Sequence, residues 1–240
     1  VRRETEFNKD ETIIDVIRND IGKLTKNELE IISNYDLVVH LAWDFLPEYN
    51  KVEHLTVELP KQIHFLNEII NLKLKRIIIS GTCLEYGKRE GEIRSDSLTR
   101  PNTFYGLAKD SLRKYLELRK LDTQFEFQWL RFFYIYGEGQ KSHTLYGSLK
   151  RAIDNKAKEF EMSHGEQERD YIEISELISK IIEVIEAPRS KQIQNCCSGR
   201  PTKVIEVVED LMLRNNYKLE LRKGRRNIPE YEGHSFWGGK

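Results

Sequence analysis

The sequence predicts an α/β protein, a doubly wound parallel sheet with a smaller C-terminal region, and three observations carry that prediction. Short apolar runs rich in β-branched residues recur at 35–42 ("YDLVVHLA"), 74–80 ("LKRIIIS") and 125–136 ("FEFQWLRFFYIY"). Segments of helical periodicity separate them, and this alternation belongs to parallel strands covered on both faces. After Gly137 the texture loosens, and two amphipathic segments follow, "SELISKIIEVIE" and "TKVIEVVEDLMLR", separated by "KQIQNCCSG".

Each element has a local reason. Between the first two strands, "PKQIHFLNEIINL" places Ile63, Leu66, Ile69 and Ile70 on one helical stripe behind Pro60, a residue tolerated in a first turn. Between the second and third, the segment holding Tyr105 and Lys109 turns Ala108, Leu112, Tyr115 and Leu116 inward. The division expected is 1–140 for the sheet domain and 141–240 for the smaller region, with some segments of the latter returning to the sheet. The first residues look like the exit from a strand, and no Gly-x-x-Gly-x-x-Gly occurs, so the first β-α-β unit of such a sheet is expected to be missing from this chain.

Composition limits the partners. Lys+Arg and Asp+Glu both number 39, which gives no basic excess for a nucleic acid. The three cysteines, Cys83, Cys196 and Cys197, are too few and too clustered for a disulfide framework. No apolar run reaches the roughly 20 residues that cross a bilayer, and the first residues carry no signal-peptide core. A cytoplasmic protein, bound to neither membrane nor nucleic acid, is the expectation.

Tyr-Gly-x-x-Lys occurs twice, at Tyr105/Lys109 and Tyr146/Lys150, and both spacings set the two side chains on one helical face. Context separates them. Tyr105 opens a helix between two strands, and Thr82 precedes it in "SGTCLEYG", directly after an apolar strand run. Ligands of a doubly wound sheet lie at the carboxyl ends of its strands, where Thr82 stands. The other reading of Thr82 is a turn or N-cap hydroxyl.

With these segments in order, the chain resembles the extended short-chain dehydrogenase/reductase family, the NAD(P)-dependent epimerases, dehydratases and reductases of nucleotide sugars. "DLVVHLAW" is similar to the family's Asp-x-Val-x-His-Leu-Ala strand, and "SGTCLEYG" to its Ser-Ser-(Ser/Thr)-x-x-x-Tyr-Gly segment. "RPNTFYGLAKDSLRKYL" follows the Pro-x-x-x-Tyr-x-x-x-Lys helix, "LRFFYIYGEGQ" the Leu-Arg-x-x-Asn-x-Tyr-Gly-x-Gly-Gln strand, and "ERDYIEISEL" the Arg-Asp-(Phe/Tyr)-Ile-x-Val-x-Asp segment.

The resemblance implies a Rossmann-type sheet, NADP or NAD as cofactor, and Thr82, Tyr105 and Lys109 as catalytic residues. Tyrosine, with an ordinary pKa near 10, needs help to exchange protons at neutral pH, and the lysine ammonium is expected to lower it. Leu41, Ala42, Trp43, Ser80 and Phe132 fall where the family contacts cofactor, and Asp20 and Ile21 match a pair beside the adenine. Arg2, with Arg3, favours the 2′-phosphate of NADP. Arg169 matches an arginine that grips the sugar-nucleotide diphosphate, and Arg226 is a second candidate; guanidinium forks suit that bidentate role.

Departures from the pattern bear on the reaction. Tyr134 stands where the family carries a substrate-contacting Asn, so an altered pocket is expected. Cys83 and Leu84 stand where the 4,6-dehydratases carry Asp-Glu, which argues against elimination of water, and Cys83 reads as a small buried residue lining the substrate side. The expected activity is NAD(P)H-dependent reduction of a nucleoside-diphosphate 4-keto-6-deoxy sugar. A 4-epimerase with tightly held NAD and a non-catalytic binding module remain open. The resemblance also implies a homodimer paired through the "PKQIHFLNEII" and "YGLAKDSLRKYL" helices.

Overall fold

The computed structural model describes residues 16–187 and 191–239. Arg2, expected at the cofactor's ribose, lies outside the described residues. In chain order the strands are β1 Val38–His40, β2 Arg76–Thr82, β3 Gly91–Ile93, β4 Glu126–Phe132, β5 Tyr134–Tyr136, β6 Glu159–Glu161, β7 Glu168–Glu173, β8 Ile193–Cys196, β9 Pro201–Lys203, β10 Glu220–Arg222 and β11 Phe236–Gly238. The α-helices are α1 Lys26–Ser33, α2 Leu59–Asn71, α3 Phe104–Asp122, α4 Leu145–Asp154, α5 Ile174–Glu186 and α6 Val204–Arg214.

The central sheet runs β1-β2-β4-β8, every neighbour parallel. Side chains alternate across a strand, so β2 serves two cores at once. Ile77 and Ile79 pack among residues of α2 and α3, including Leu66, Ile69, Ala108 and Leu112, whereas Ile78 faces Leu177 and Val184 of α5. All three isoleucines are fully buried, a burial worth roughly 1.5–3 kcal/mol for each side chain. Arg76 at the start of β2 donates to the carbonyls of Val184 and Ile185, so a cation closes the last turn of α5.

Two sequence expectations are corrected in extent. The run 125–136 is not one strand: the chain leaves the central sheet at Phe133, and β5 pairs with β7 in a separate sheet completed by β9. Apolar character alone does not distinguish one long strand from two short ones, because Phe133 is buried at the break. The segment from 137 to 171, expected to be loose, holds α4, β6 and the start of β7, and "KQIQNCCSG" supplies β8 to the central sheet beside β4. A further cluster, with Leu149, Phe160, Met162, Val204 and Val208, forms the apolar interior of the C-terminal part. No helix among the described residues is long and apolar enough to cross a membrane.

His40, at the end of β1, is buried, hydrogen-bonded to Gln62, and pushed down to about 4 by burial and by the nearby Lys109 cation. Its folded pKa lies below the unfolded value near 6.5, so its contribution to stability is complete above pH 6.5 and is lost as pH falls towards 4. Between pH 7 and pH 5 the loss amounts to about 2 kcal/mol. Urea unfolding of His40→Asn at these two pH values is expected to show a flatter dependence than the parent by that amount; parallel slopes would contradict the assignment.

Candidate functional site

At the carboxyl ends of β1, β2 and β4 a cavity of about 770 Å³ opens, a size that suits a cofactor and a small substrate. Its lining includes Leu41, Trp43, Ser80, Thr82, Cys83, Tyr105, Lys109, Phe132, Tyr134, Arg169 and Arg226. The three residues expected to be catalytic thus come together from β2 and the first turns of α3. Asp20 and Ile21 are not among the residues lining this cavity: the Asp20 carboxylate accepts from Gly22 N and approaches Lys61, and Ile21 packs on the hydrophobic core. Ala42 is not in the lining either, and its carbonyl accepts from Gln62.

The segment after β2 explains how Thr82 is placed. Thr82 caps a 3₁₀ turn, Cys83–Tyr86, by accepting from Leu84 N at 3.3 Å, while its own N–H donates to the Glu85 carboxylate at 2.9 Å. Its hydroxyl shares the cavity wall with Tyr105 and acts on the phenol's electrostatics. Thr82 is therefore both a turn cap and a neighbour of the phenol. Two glycines make the close approach possible. A Cβ on Gly81 would lie 2.2 Å from Trp129 Nε1, and one on Gly106 would lie 2.5 Å from the Leu84 carbonyl oxygen. The glycine after Tyr105 lets α3 press against the turn that carries Thr82.

Under that turn Glu85, fully buried, accepts from Trp129 Nε1 at 2.8 Å and Arg131 Nε at 2.7 Å, with Arg113 Nε at 3.9 Å. Arg131 in turn donates to the Tyr86 hydroxyl, which donates to Asn195 of β8. This network ties β2, β4, β8 and α3 together beneath the cavity floor.

Lys109 donates to the Ser80 carbonyl at 2.7 Å, and its ammonium sits 4.1 Å from the centre of the Trp43 ring, within cation–π range. Trp43 Nε1 donates to His54 Nδ1 at 3.0 Å, and His54, Trp43 and Tyr49 all pack against the Tyr105 ring. The aromatic stretch "WDFLPEYN" thus walls the site, and Tyr49, His54, Glu85, Tyr231 and Glu232 were not singled out by sequence reasoning. The density of aromatics just after β1 was the available signal for Tyr49.

The electrostatics correct one expectation. The Tyr105 phenol is pushed up, first by burial and then by neighbouring Tyr49, Glu85 and Cys83, and the Thr82 side chain offsets this only in part. Lys109 is not among the groups that shift the phenol, and its own pKa is brought down to about 7 by desolvation, against the opposing pull of Glu85 and Glu58. Below pH 7 the fold must hold a desolvated ammonium that the unfolded chain keeps in water up to about pH 10.4, so this residue depresses stability most below 7 and progressively less above it. Lys109→Met is expected to raise stability at pH 7 by about 2 kcal/mol after loss of the Ser80 hydrogen bond. A lower urea midpoint for that variant would refute this.

Arg169 also departs from expectation. Its guanidinium donates to Glu232 Oε2 at 2.6 and 3.1 Å and to the carbonyls of Glu168 and His234, and it stacks on Phe236. These contacts hold it within the protein, and a diphosphate would have to compete with Glu232. Arg226 is exposed on the same cavity, over the Phe160 ring, with no acidic partner among the described residues. Cys83 is buried with its thiol pushed up by burial and by Glu232. Tyr146 and Lys150 lie on α4, donating to Glu138 and Asp154 respectively, so the second Tyr-x-x-x-Lys pair is divided between two acids.

Comparison with known proteins bears on the family and the fold. The dTDP-6-deoxy-L-talose 4-dehydrogenase (NAD(+)) of Aggregatibacter actinomycetemcomitans is 28% identical over 90% of this chain and 79% of its own length. The dTDP-4-dehydro-6-deoxyglucose reductase of Escherichia coli is 25% identical over 79% of this chain and 63% of its length. Among solved structures, RMD from Pseudomonas aeruginosa complexed with NADPH superposes with a TM-score of 0.77 at 18% identity, covering 93% of this chain and 78% of that one; at this identity the likeness concerns the fold. The model of the NAD dependent epimerase/dehydratase family matches residues 2–197, and the chain belongs to that family.

Proposed function

We propose that this protein is a reductase of a nucleoside-diphosphate 4-keto-6-deoxy sugar, using NADPH or NADH. The observation that carries the reading is the convergence of Thr82, Tyr105 and Lys109 on the wall of one cavity at the carboxyl ends of parallel strands. The names of the two curated relatives, a 4-dehydrogenase and a 4-dehydro-sugar reductase, support the same carbon and the same redox couple.

The residues present suit the nicotinamide half of the cofactor. Leu41, Trp43 and Phe132 offer flat apolar walls, and Ser80 and Lys109 offer polar groups for ribose hydroxyls. When bound, the nicotinamide supplies the hydride. Tyr105 delivers the proton to the carbonyl oxygen as the carbon is reduced, and Thr82 holds that oxygen by a hydrogen bond. A phenol kept protonated by its burial is in the form a proton donor needs, and the Lys109 ammonium and Thr82 hydroxyl stabilise the phenolate left behind.

Cys83 and Leu84, both buried, offer no carboxylate for dehydration, and Arg226 is the better placed of the two arginines for the diphosphate. Pairing of two copies through α2 and α3 belongs to the same reading; α3 leaves Leu107, Leu118 and Leu121 exposed.

The test is cofactor stoichiometry. One NAD(P)H consumed for each 4-keto sugar nucleotide converted supports reduction, whereas interconversion of two nucleotide sugars without net consumption would replace it with 4-epimerisation.

A further inference from the structure

The wall of the cavity carries a carboxylate that the proposed chemistry leaves unused. Glu232 lines the cavity with its side chain 11% exposed. Its Oε2 takes two hydrogen bonds from Arg169, and its Oε1 accepts from the Tyr134 hydroxyl at 2.5 Å. An ionised carboxylate has about four lone-pair sites, so three protein donors leave one on Oε1. The ring of the preceding residue, Tyr231, packs on Tyr49, which in turn packs on the Tyr105 ring, so Glu232 follows on the wall that carries the phenol.

We infer that Glu232, fixed by Arg169 and Tyr134, makes this subsite select an uncharged hexose over a hexuronate; the inference rests on the nucleotide-sugar reading above. A sugar hydroxyl donates to the remaining Oε1 lone pair. A carboxylate on the sugar meets Glu232 as a like charge, and Arg169, the cation that would otherwise receive it, is already taken. The other two cations on the cavity are assigned elsewhere in that reading: Lys109, which donates to the Ser80 carbonyl and sits over the Trp43 ring, serves the ribose and Tyr105, and Arg226 serves the diphosphate. Entry of a second carboxylate without a partner costs its desolvation and gains no ion pair.

The experiment is isothermal titration of the full chain with the glucose and glucuronate esters of UDP and of dTDP. For the nucleotide that binds, the glucose ester is expected at least tenfold tighter than the glucuronate ester. Glu232→Gln releases Arg169 and removes the like charge, and is expected to narrow the ratio to under threefold, chiefly by tighter glucuronate binding. Equal affinities for the two esters in the unaltered protein, or an unchanged ratio in a folded Glu232→Gln, would overturn this inference alone. Binding of none of the four esters would overturn the nucleotide-sugar reading along with it.

Discussion

Tyr105→Phe is expected to lower kcat by about 10²- to 10⁴-fold with little change in KM, because it deletes a single proton and leaves the ring in place. The phenol ring packs between Trp43, Tyr49 and His54, and phenylalanine keeps those contacts. Thr82 still caps its turn through Leu84 N, so thermal unfolding should move little. The pH profile adds a second readout. With the phenol held protonated and Lys109 losing its proton near pH 7, the ammonium that stabilises the phenolate is present below 7 and is withdrawn as pH rises through it. Reduction by the unaltered protein should therefore slow on the alkaline side of about pH 7. Both readouts follow from NAD(P)H absorbance, and a Tyr105→Phe rate within threefold of normal would remove the phenol from the chemistry.

Glu85→Ala carries the largest expected effect on stability, about 3–5 kcal/mol, since removing one member of a buried ion pair leaves its partner as an uncompensated charge. Here the loss strands Arg131, weakens the hold on Arg113 and leaves the Trp129 indole N–H without its acceptor. It also frees the backbone N–H of Thr82, so the turn that positions the site loosens with the core. Glu85→Gln keeps an acceptor for one of these donors and should cost less. Denaturant unfolding decides it: a change below 1 kcal/mol for the alanine variant would show that the network contributes little.

Much of the framework was legible because it follows from periodicity. The isoleucines of β2 and the Leu66/Ile69/Ile70 stripe of α2 are buried where alternation and helical spacing put them. The order of the Thr82, Tyr105 and Lys109 segments along α/β elements placed all three at one end of the sheet. The split at Phe133 and the return of β8 were less accessible, because which strand pairs with which depends on distant partners, 37 residues on for β5 (Tyr134 with Tyr171) and 64 residues on for β4 (Trp129 with Ile193).

What the sequence by itself determined is the set of elements and the end of the sheet at which function resides, since hydrophobic period and strand direction are local properties of the chain. Only the tertiary structure decided how those groups behave: that burial raises the Tyr105 phenol, that Glu232 engages Arg169, and that Trp43 and Tyr49 pack on the Tyr105 ring. The physical reason is that desolvation and ion pairing are fixed by what the rest of the chain brings within a few ångströms, and no spacing along the sequence encodes that.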